Sequence, residues 1–215
     1  MDLSMSVELV NLGKKYNHKG LFQGINAVIK AGQCLGITGS NGSGKTTLLK
    51  LIAGIEQPSE GYVYMKGNRG DLRREERVGS IGMVSPQIAF YDAMTGIENI
   101  MFFCSCSLRR CSIKDAQEGC MRVGLDGYSD DLVSTYSTGM KQRLKLAIML
   151  VFQPTLWLLD EPSSNLDAVG KKIVGNSIKS ALQDGATVIV ATNECWELGY
   201  ASEHIILGEC SVDSI

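Results

Sequence analysis

Apolar positions along the chain change their period several times, and those changes outline an architecture. Near the amino end, residues 7–12 and 25–29 alternate or cluster β-branched side chains on either side of the turn signal Asn17-His18-Lys19-Gly20. That pattern predicts two antiparallel strands. Residues 34–38 form a short run of the fully buried type that leads into the glycine-rich segment 39–44. A helix-compatible stretch over 45–53 follows, stopped by Gly54. Strand, loop and helix therefore succeed one another. Residues 61–65 and 81–84 read as further short strands, with 67–77 a solvated loop between them.

From residue 88 to about Tyr136 the β signal gives way to helical or irregular sequence rich in Met, Cys, Ser and Arg, which predicts an inserted helical lobe. In the next segment Met140, Leu144, Ala147, Ile148 and Val151 share one helical face, while Lys141, Arg143 and Lys145 fall on another. This is the pattern of a half-buried helix. Residues 156–159, 187–191 and 204–207 are short apolar runs alternating with helical stretches, as in a parallel sheet covered on both faces.

Composition narrows the class only a little. At 215 residues, with 44% apolar and 20% charged side chains, the chain fits one globular unit rather than a disordered one. A formal charge of −2 gives no summed field to attract nucleic acid or an anionic membrane. Residues 1–6 lack the basic start and apolar stretch of a signal peptide, and no apolar run reaches the about 18 residues needed to cross a bilayer. The expected location is the cytoplasm, held to a membrane only through a partner. Seven cysteines (34, 104, 106, 111, 120, 195 and 210) are an odd number without a paired framework, and the 104–120 group matches no zinc spacing. Reduced thiols are the expectation.

Chemistry concentrates at residues 39–46, Gly-Ser-Asn-Gly-Ser-Gly-Lys-Thr, which fit G-x4-G-K-[ST] at every specified position. The match sits between a strand and a helix, the context the motif requires. The backbone N–H groups of Gly39, Ser40, Asn41, Gly42, Ser43 and Gly44 would wrap the phosphates of ATP, with Lys45 reaching the β/γ oxygens and Thr46 and Thr47 closing the loop. The Thr46 hydroxyl would hold Mg2+. Further on, the apolar strand 156–159 ends in Asp160 and Glu161. Asp160 then lies at the carboxyl edge of the sheet, where it would be the second metal anchor. Adjacent strand residues point opposite ways, so Glu161 is expected not to share that role but to polarise an attacking water.

The order of these motifs resembles the ATP-binding cassette family, the nucleotide-binding subunits that power membrane transporters, over nearly the whole chain. The resemblance implies an α/β P-loop NTPase fold: a RecA-like core with a mainly parallel sheet, an N-terminal antiparallel β subdomain and an inserted helical subdomain. Residues 1–87 and 146–215 would form the core with its β subdomain, and 88–145 the helical subdomain. Tyr16 stands where the family stacks an aromatic ring on adenine. Gln87, in Ser85-Pro86-Gln87, matches the glutamine that contacts Mg2+ and the reacting water. Residues 136–144, Tyr-Ser-Thr-Gly-Met-Lys-Gln-Arg-Leu, look like the family signature, which implies that Ser137 and Gly139 meet the γ-phosphate held by a second chain. Its departures at Tyr136, Thr138 and Met140 are similar to exporter subunits, and Asp167 matches the family's interfacial acid.

One departure bears on turnover. After residues 187–191 the family places a histidine against the γ-phosphate, and here Asn193 stands in that position. Asparagine donates a hydrogen bond but carries no charge, which implies slower hydrolysis. His18 and His204 sit elsewhere and read as structural. The resemblance as a whole implies a Mg-ATP-hydrolysing subunit, a homodimer or a pair with a second such ATPase, on the inner face of a membrane beside an integral permease. Two other readings stay open: a cassette outside transport, and a nucleotide-gated module of weak turnover. A phosphate-loop kinase would leave residues 137–144 without use.

Overall fold

Alternation along the apolar runs decides which side of the central sheet each residue faces. In the computed structural model, which describes residues 5–17, 19–67, 70–72, 76–77, 79–107 and 110–208, five strands run parallel in the order β6-β7-β8-β3-β9. They are β3 (Cys34–Gly39), β6 (Ile81–Val84), β7 (Leu156–Asp160), β8 (Thr187–Ala191) and β9 (Glu203–Leu207). On β7, Leu156 and Leu158 join one core while Trp157 and Leu159 join the other; on β8, Ile189 and Val188 divide in the same way. A period of two with both faces apolar is what a parallel sheet between two layers requires.

One face packs on helix α1 (Lys45–Ala53) and on a second, antiparallel sheet of order β2-β1-β4-β5. Its strands are β1 (Met5–Tyr16), β2 (Lys19–Ile29), β4 (Glu60–Gly67) and the short β5 (Gly70–Asp71). β1 and β2 are longer than the alternating sequence indicates. The register shifts between Leu9 and Lys15 let the pairing pass through Asn11, which sits at φ 47°, where simple alternation breaks down. β5 lies within the segment read as a solvated loop, pairing Asp71 with Lys66.

The other face packs on helices α2 (Gly96–Cys106), α3 (Ile113–Arg122), α4 (Thr138–Phe152) and α5 (Ala168–Gln183), with the one-turn helix α6 (Cys195–Leu198) at the edge. α4 is continuous through Lys145: Leu144 and Ala147 pack with Ile100, Ala116 and Cys120 of the preceding helices, and its later turns lie against the sheet. Lys145 itself corrects the helical-face reading. It is buried rather than solvated, and its ammonium donates to Ser85 O at 2.8 Å, while desolvation pulls its pKa down. Tyr136, just ahead of α4, is also buried and donates to Tyr128 O at 2.6 Å.

Of the cysteines, Cys34, Cys104 and Cys120 are buried, and burial pushes the Cys34 thiol to about 12 and Cys120 to about 11. All six described cysteines are free thiols. Cys210 and His18 lie outside the described residues. His204 falls within β9, and its ring leaves no room for a side chain at Gly36, whose added Cβ would come 2.9 Å from Nδ1. No described helix is long and apolar enough to cross a membrane.

Candidate phosphate-binding site

β3 ends at Gly39, and the chain turns over the carboxyl edge of the sheet before entering α1. The turn demands glycine where the backbone is left-handed. Gly42 has φ 82° and Gly44 has φ 103°, and an added Cβ at Gly44 would lie 2.8 Å from Leu21. At Gly39 a Cβ would lie 2.4 Å from Leu207 O, so strand and loop close on each other without a side chain between them. A concavity of about 340 Å3 results, lined by Ser40, Asn41, Gly42, Gly44, Lys45, Thr46, Thr47 and Glu161.

The electrostatics of this hollow favour an anion. α1 opens on Gly44 with no side-chain cap, so the N–H groups of its first turn have no side-chain acceptor. Its positive end points into the loop. Lys45 is only 6% exposed and folds back onto the loop, donating to Gly39 O at 2.6 Å and Ser40 O at 3.4 Å. The buried Ser43 Oγ has no partner. A donor-rich cradle with an ammonium already inside it fits a chain of phosphates.

Across from the loop, β7 delivers its carboxylates. Asp160 is buried, and its Oδ2 accepts from Thr46 Oγ1 at 2.8 Å and from Ser85 Oγ at 3.3 Å. A hydroxyl and a carboxylate converging beside a phosphate cradle are the hard oxygen donors that a magnesium ion takes, so the residues present fit Mg2+. Glu161 corrects the pleat argument. β7 stops at Asp160, and Glu161 adopts φ 46°, with its N–H donating to Ala191 O at 2.9 Å. Its direction comes from this left-handed residue, not from strand alternation. A non-glycine residue held there carries strain of about 1 kcal/mol or more.

Three predicted residues, Asn193, Gln87 and Tyr16, are not part of that lining. The amide of Asn193, just past β8, satisfies both its atoms when its nitrogen donates to Gly39 O at 3.0 Å and Thr38 Oγ1 at 3.2 Å. It thus touches the first residue of the loop. Gln87 is exposed on the segment after β6, tied through its N–H to Ser85 Oγ at 3.4 Å. Tyr16, 46% exposed, ends β1, where its hydroxyl donates to Glu56 at 2.5 Å and Lys14 Nζ sits 4.8 Å from its ring centroid. That hydrogen bond pushes the Tyr16 pKa up and holds Glu56 down.

Ser137 and Gly139 do not line the hollow of their own chain. They open α4, where Ser137 Oγ accepts from Met140 N at 3.2 Å and an added Cβ at Gly139 would meet Asn165 O at 3.3 Å. Asp167 caps α5 by accepting from Gly170 N at 2.8 Å. Sequence reasoning missed three contacts around these groups: Ser85 on Asp160, Lys145 on Ser85 O, and Gln142, which donates to Pro162 O at 2.8 Å. The one available signal was a lysine set between Leu144 and Leu146. A second cavity, about 310 Å3 between Arg122, Trp157 and Asp184, lies at the amino ends of β7 and β8 and holds none of the predicted residues.

Comparison with known proteins points in one direction. A family model described as ABC transporter matches residues 22–164. The uncharacterized ABC transporter ATP-binding protein YdbJ of Bacillus subtilis (strain 168) is 33% identical over 202 residues, covering 94% of this chain and 65% of that protein. The spermidine/putrescine import ATP-binding protein PotA of Spiroplasma citri is 33% identical over 205 residues, covering 94% of this chain and 58% of that one. The chain therefore spans less than two thirds of the length of these two relatives. A solved dimeric structure of a post-hydrolysis state of the ATP-binding cassette MJ0796, bound to ADP and Pi, is 27% identical with a TM-score of 0.81, over 94% of each chain.

Proposed function

The chain belongs to the ABC transporter family, and from that premise we propose that it is an ATP-hydrolysing subunit that pairs with a second cassette and drives a membrane permease. The observation that carries the reading is the meeting of Lys45, Thr46, Asp160 and Glu161 around one phosphate-sized hollow at a helix N-terminus. The loop amides bind the triphosphate. Lys45 exchanges its two backbone carbonyls for β and γ oxygens. Glu161 orients the attacking water and takes its proton, and Asn193 donates to the phosphoryl group that departs. Thr46 and Asp160 would hold Mg2+, with Gln87 as a further ligand, and the ion would supply positive charge against the phosphates.

Tyr16 would face the adenine. Ser137 and Gly139 would reach the γ-phosphate of the partner cassette, because they lie outside their own chain's hollow while opening a helix with its positive end exposed. The helical lobe, residues 88–145, would meet the permease on the cytoplasmic face of the membrane. An exporter is the favoured direction on the signature variant at Tyr136, Thr138 and Met140, although one relative is an import protein. The absence of a histidine at Asn193 favours slow turnover.

Phosphate release by the purified chain tests the reading. Wild type should release phosphate in a Mg2+-dependent manner, with a rate per chain that falls on dilution, and Glu161→Gln should bind ATP without turning it over. A wild-type sample with no release, or with a rate indifferent to dilution, would remove the enzyme or the dimer respectively. Co-fractionation with membranes rather than ribosomes from native cells would support the transport role.

A further inference from the structure

Behind the hollow, the turn after β8 buries a carboxyl group that the proposed chemistry does not use. Glu197, in α6, is 0% exposed, and neither of its oxygens completes a hydrogen bond. Its surroundings are polar nonetheless. The hydroxyls of Ser163 and Thr192 and the N–H of Ser163 lie close enough to influence it. Burial is the main influence and pushes its pKa up, helped by the charge of Glu194 and opposed by those three donors. A buried carboxyl left this way is costly, so its place needs a reason.

The two residues it faces belong to different functional loops. Ser163 lies between Glu161 and Asp167, and Thr192 precedes Asn193. The same turn is also fastened on its outer side. The Glu194 carboxylate accepts from Lys171 Nζ of α5, 3.2 Å to each oxygen, and from Trp196 Nε1 at 3.2 Å. Tyr200 packs so closely on α5 that a Cβ at Gly175 would lie 2.7 Å from its hydroxyl. With its outer side fixed to α5, the turn presents Glu197 inward, beside Ser163 and Thr192.

We infer that Glu197 is a positioning residue that ties the loop carrying Glu161 and Asp167 to the Thr192-Asn193 pair, so that the catalytic carboxylate and the phosphate-facing amide move as a unit. The inference rests on the ATPase reading above. It places Glu197 outside contact with nucleotide, acting through Ser163 and Thr192, and it requires the polar end of the side chain rather than its charge.

The test compares wild type, Glu197→Gln and Glu197→Ala by steady-state ATP hydrolysis and by amide hydrogen exchange. In Glu197→Ala, kcat should fall about tenfold with KM for ATP changed by less than about twofold, because a misplaced water-orienting group affects the transition state and not binding. Exchange should quicken at residues 161–167 and 192–194 and nowhere else. Glu197→Gln should stay within about twofold of wild type in kcat and keep wild-type exchange, since it retains the hydrogen-bonding shape. Wild-type turnover and exchange in Glu197→Ala would overturn the inference. So would equal losses in both variants accompanied by exchange throughout the chain, which would mark Glu197 as general support for the fold. If wild type releases no phosphate, the ATPase reading falls and the exchange pattern alone decides the role of Glu197.

Discussion

The described helices begin in contrasting ways. α2 opens on Thr95, whose hydroxyl accepts from Glu98 N while the Glu98 carboxylate accepts from Thr95 N, and α3 repeats the arrangement with Ser112 and Asp115. α1 opens on Gly44 with no side-chain acceptor at all. A capping side chain contributes about 1 kcal/mol, so α2 and α3 are built for stability and α1 forgoes that term. The N–H groups left without a side chain at α1 are those that border the phosphate-sized hollow. α4 lies between the two designs: Ser137 accepts from Met140 N, but Met140 at the third position supplies no carboxylate to complete the box.

The most direct way to break that comparison is to remove the cation that helps the open helix end. Lys45→Ala should lower kcat/KM for ATP by about a thousandfold and abolish the nucleotide-induced rise in melting temperature, since the ammonium acts on ground and transition states alike. A variant that kept the thermal shift would show that the amides of α1 suffice alone. Glu161→Gln comes next. It should lower kcat by about a hundredfold while the thermal shift with Mg-ATP persists, because loss of a general base leaves the cradle intact.

Most of the hollow was legible because its specification is local: spacing over residues 39–46 sets loop and helix, and an apolar run ending in Asp160 sets the facing edge. The parallel sheet was legible for the same reason, through runs of five or so residues with both faces apolar. What escaped depends on distant partners or on backbone geometry. Lys145 reads as a surface cation until Ser85, 60 residues away, is brought against it. Glu197 has no sequence mark of its burial, which only the folded turn after β8 produces. The left-handed turn at Glu161 has no sequence mark, because glutamate does not favour it.

A smaller effect sharpens the electrostatic side. Asn193→His should raise kcat by about threefold to tenfold, since an imidazole able to carry charge stabilises a developing anion better than an amide. The gain should fade as pH rises through the imidazole pKa, near 6.5 if unperturbed. Measuring kcat against pH for both proteins checks it; a gain that did not respond to pH would mean that shape, not charge, was limiting at this position.

The finest division is between the half-capped α4 and the fully capped α3. Ser137→Ala and Ser112→Ala each remove a hydroxyl that accepts from the third residue of its helix, at 3.2 Å in both cases. Each should therefore cost about 1 kcal/mol of stability, read as a shift in denaturant midpoint at unchanged slope. Ser112 stands at the start of α3, away from any predicted nucleotide contact, and its loss should leave kcat alone. Ser137 is proposed to reach a partner's γ-phosphate, so its loss should also lower kcat severalfold and weaken ATP-dependent pairing seen by sedimentation. If both variants lose stability and neither changes turnover, Ser137 is only a cap. The open end of α4 would then face solvent in the working molecule, unlike that of α1.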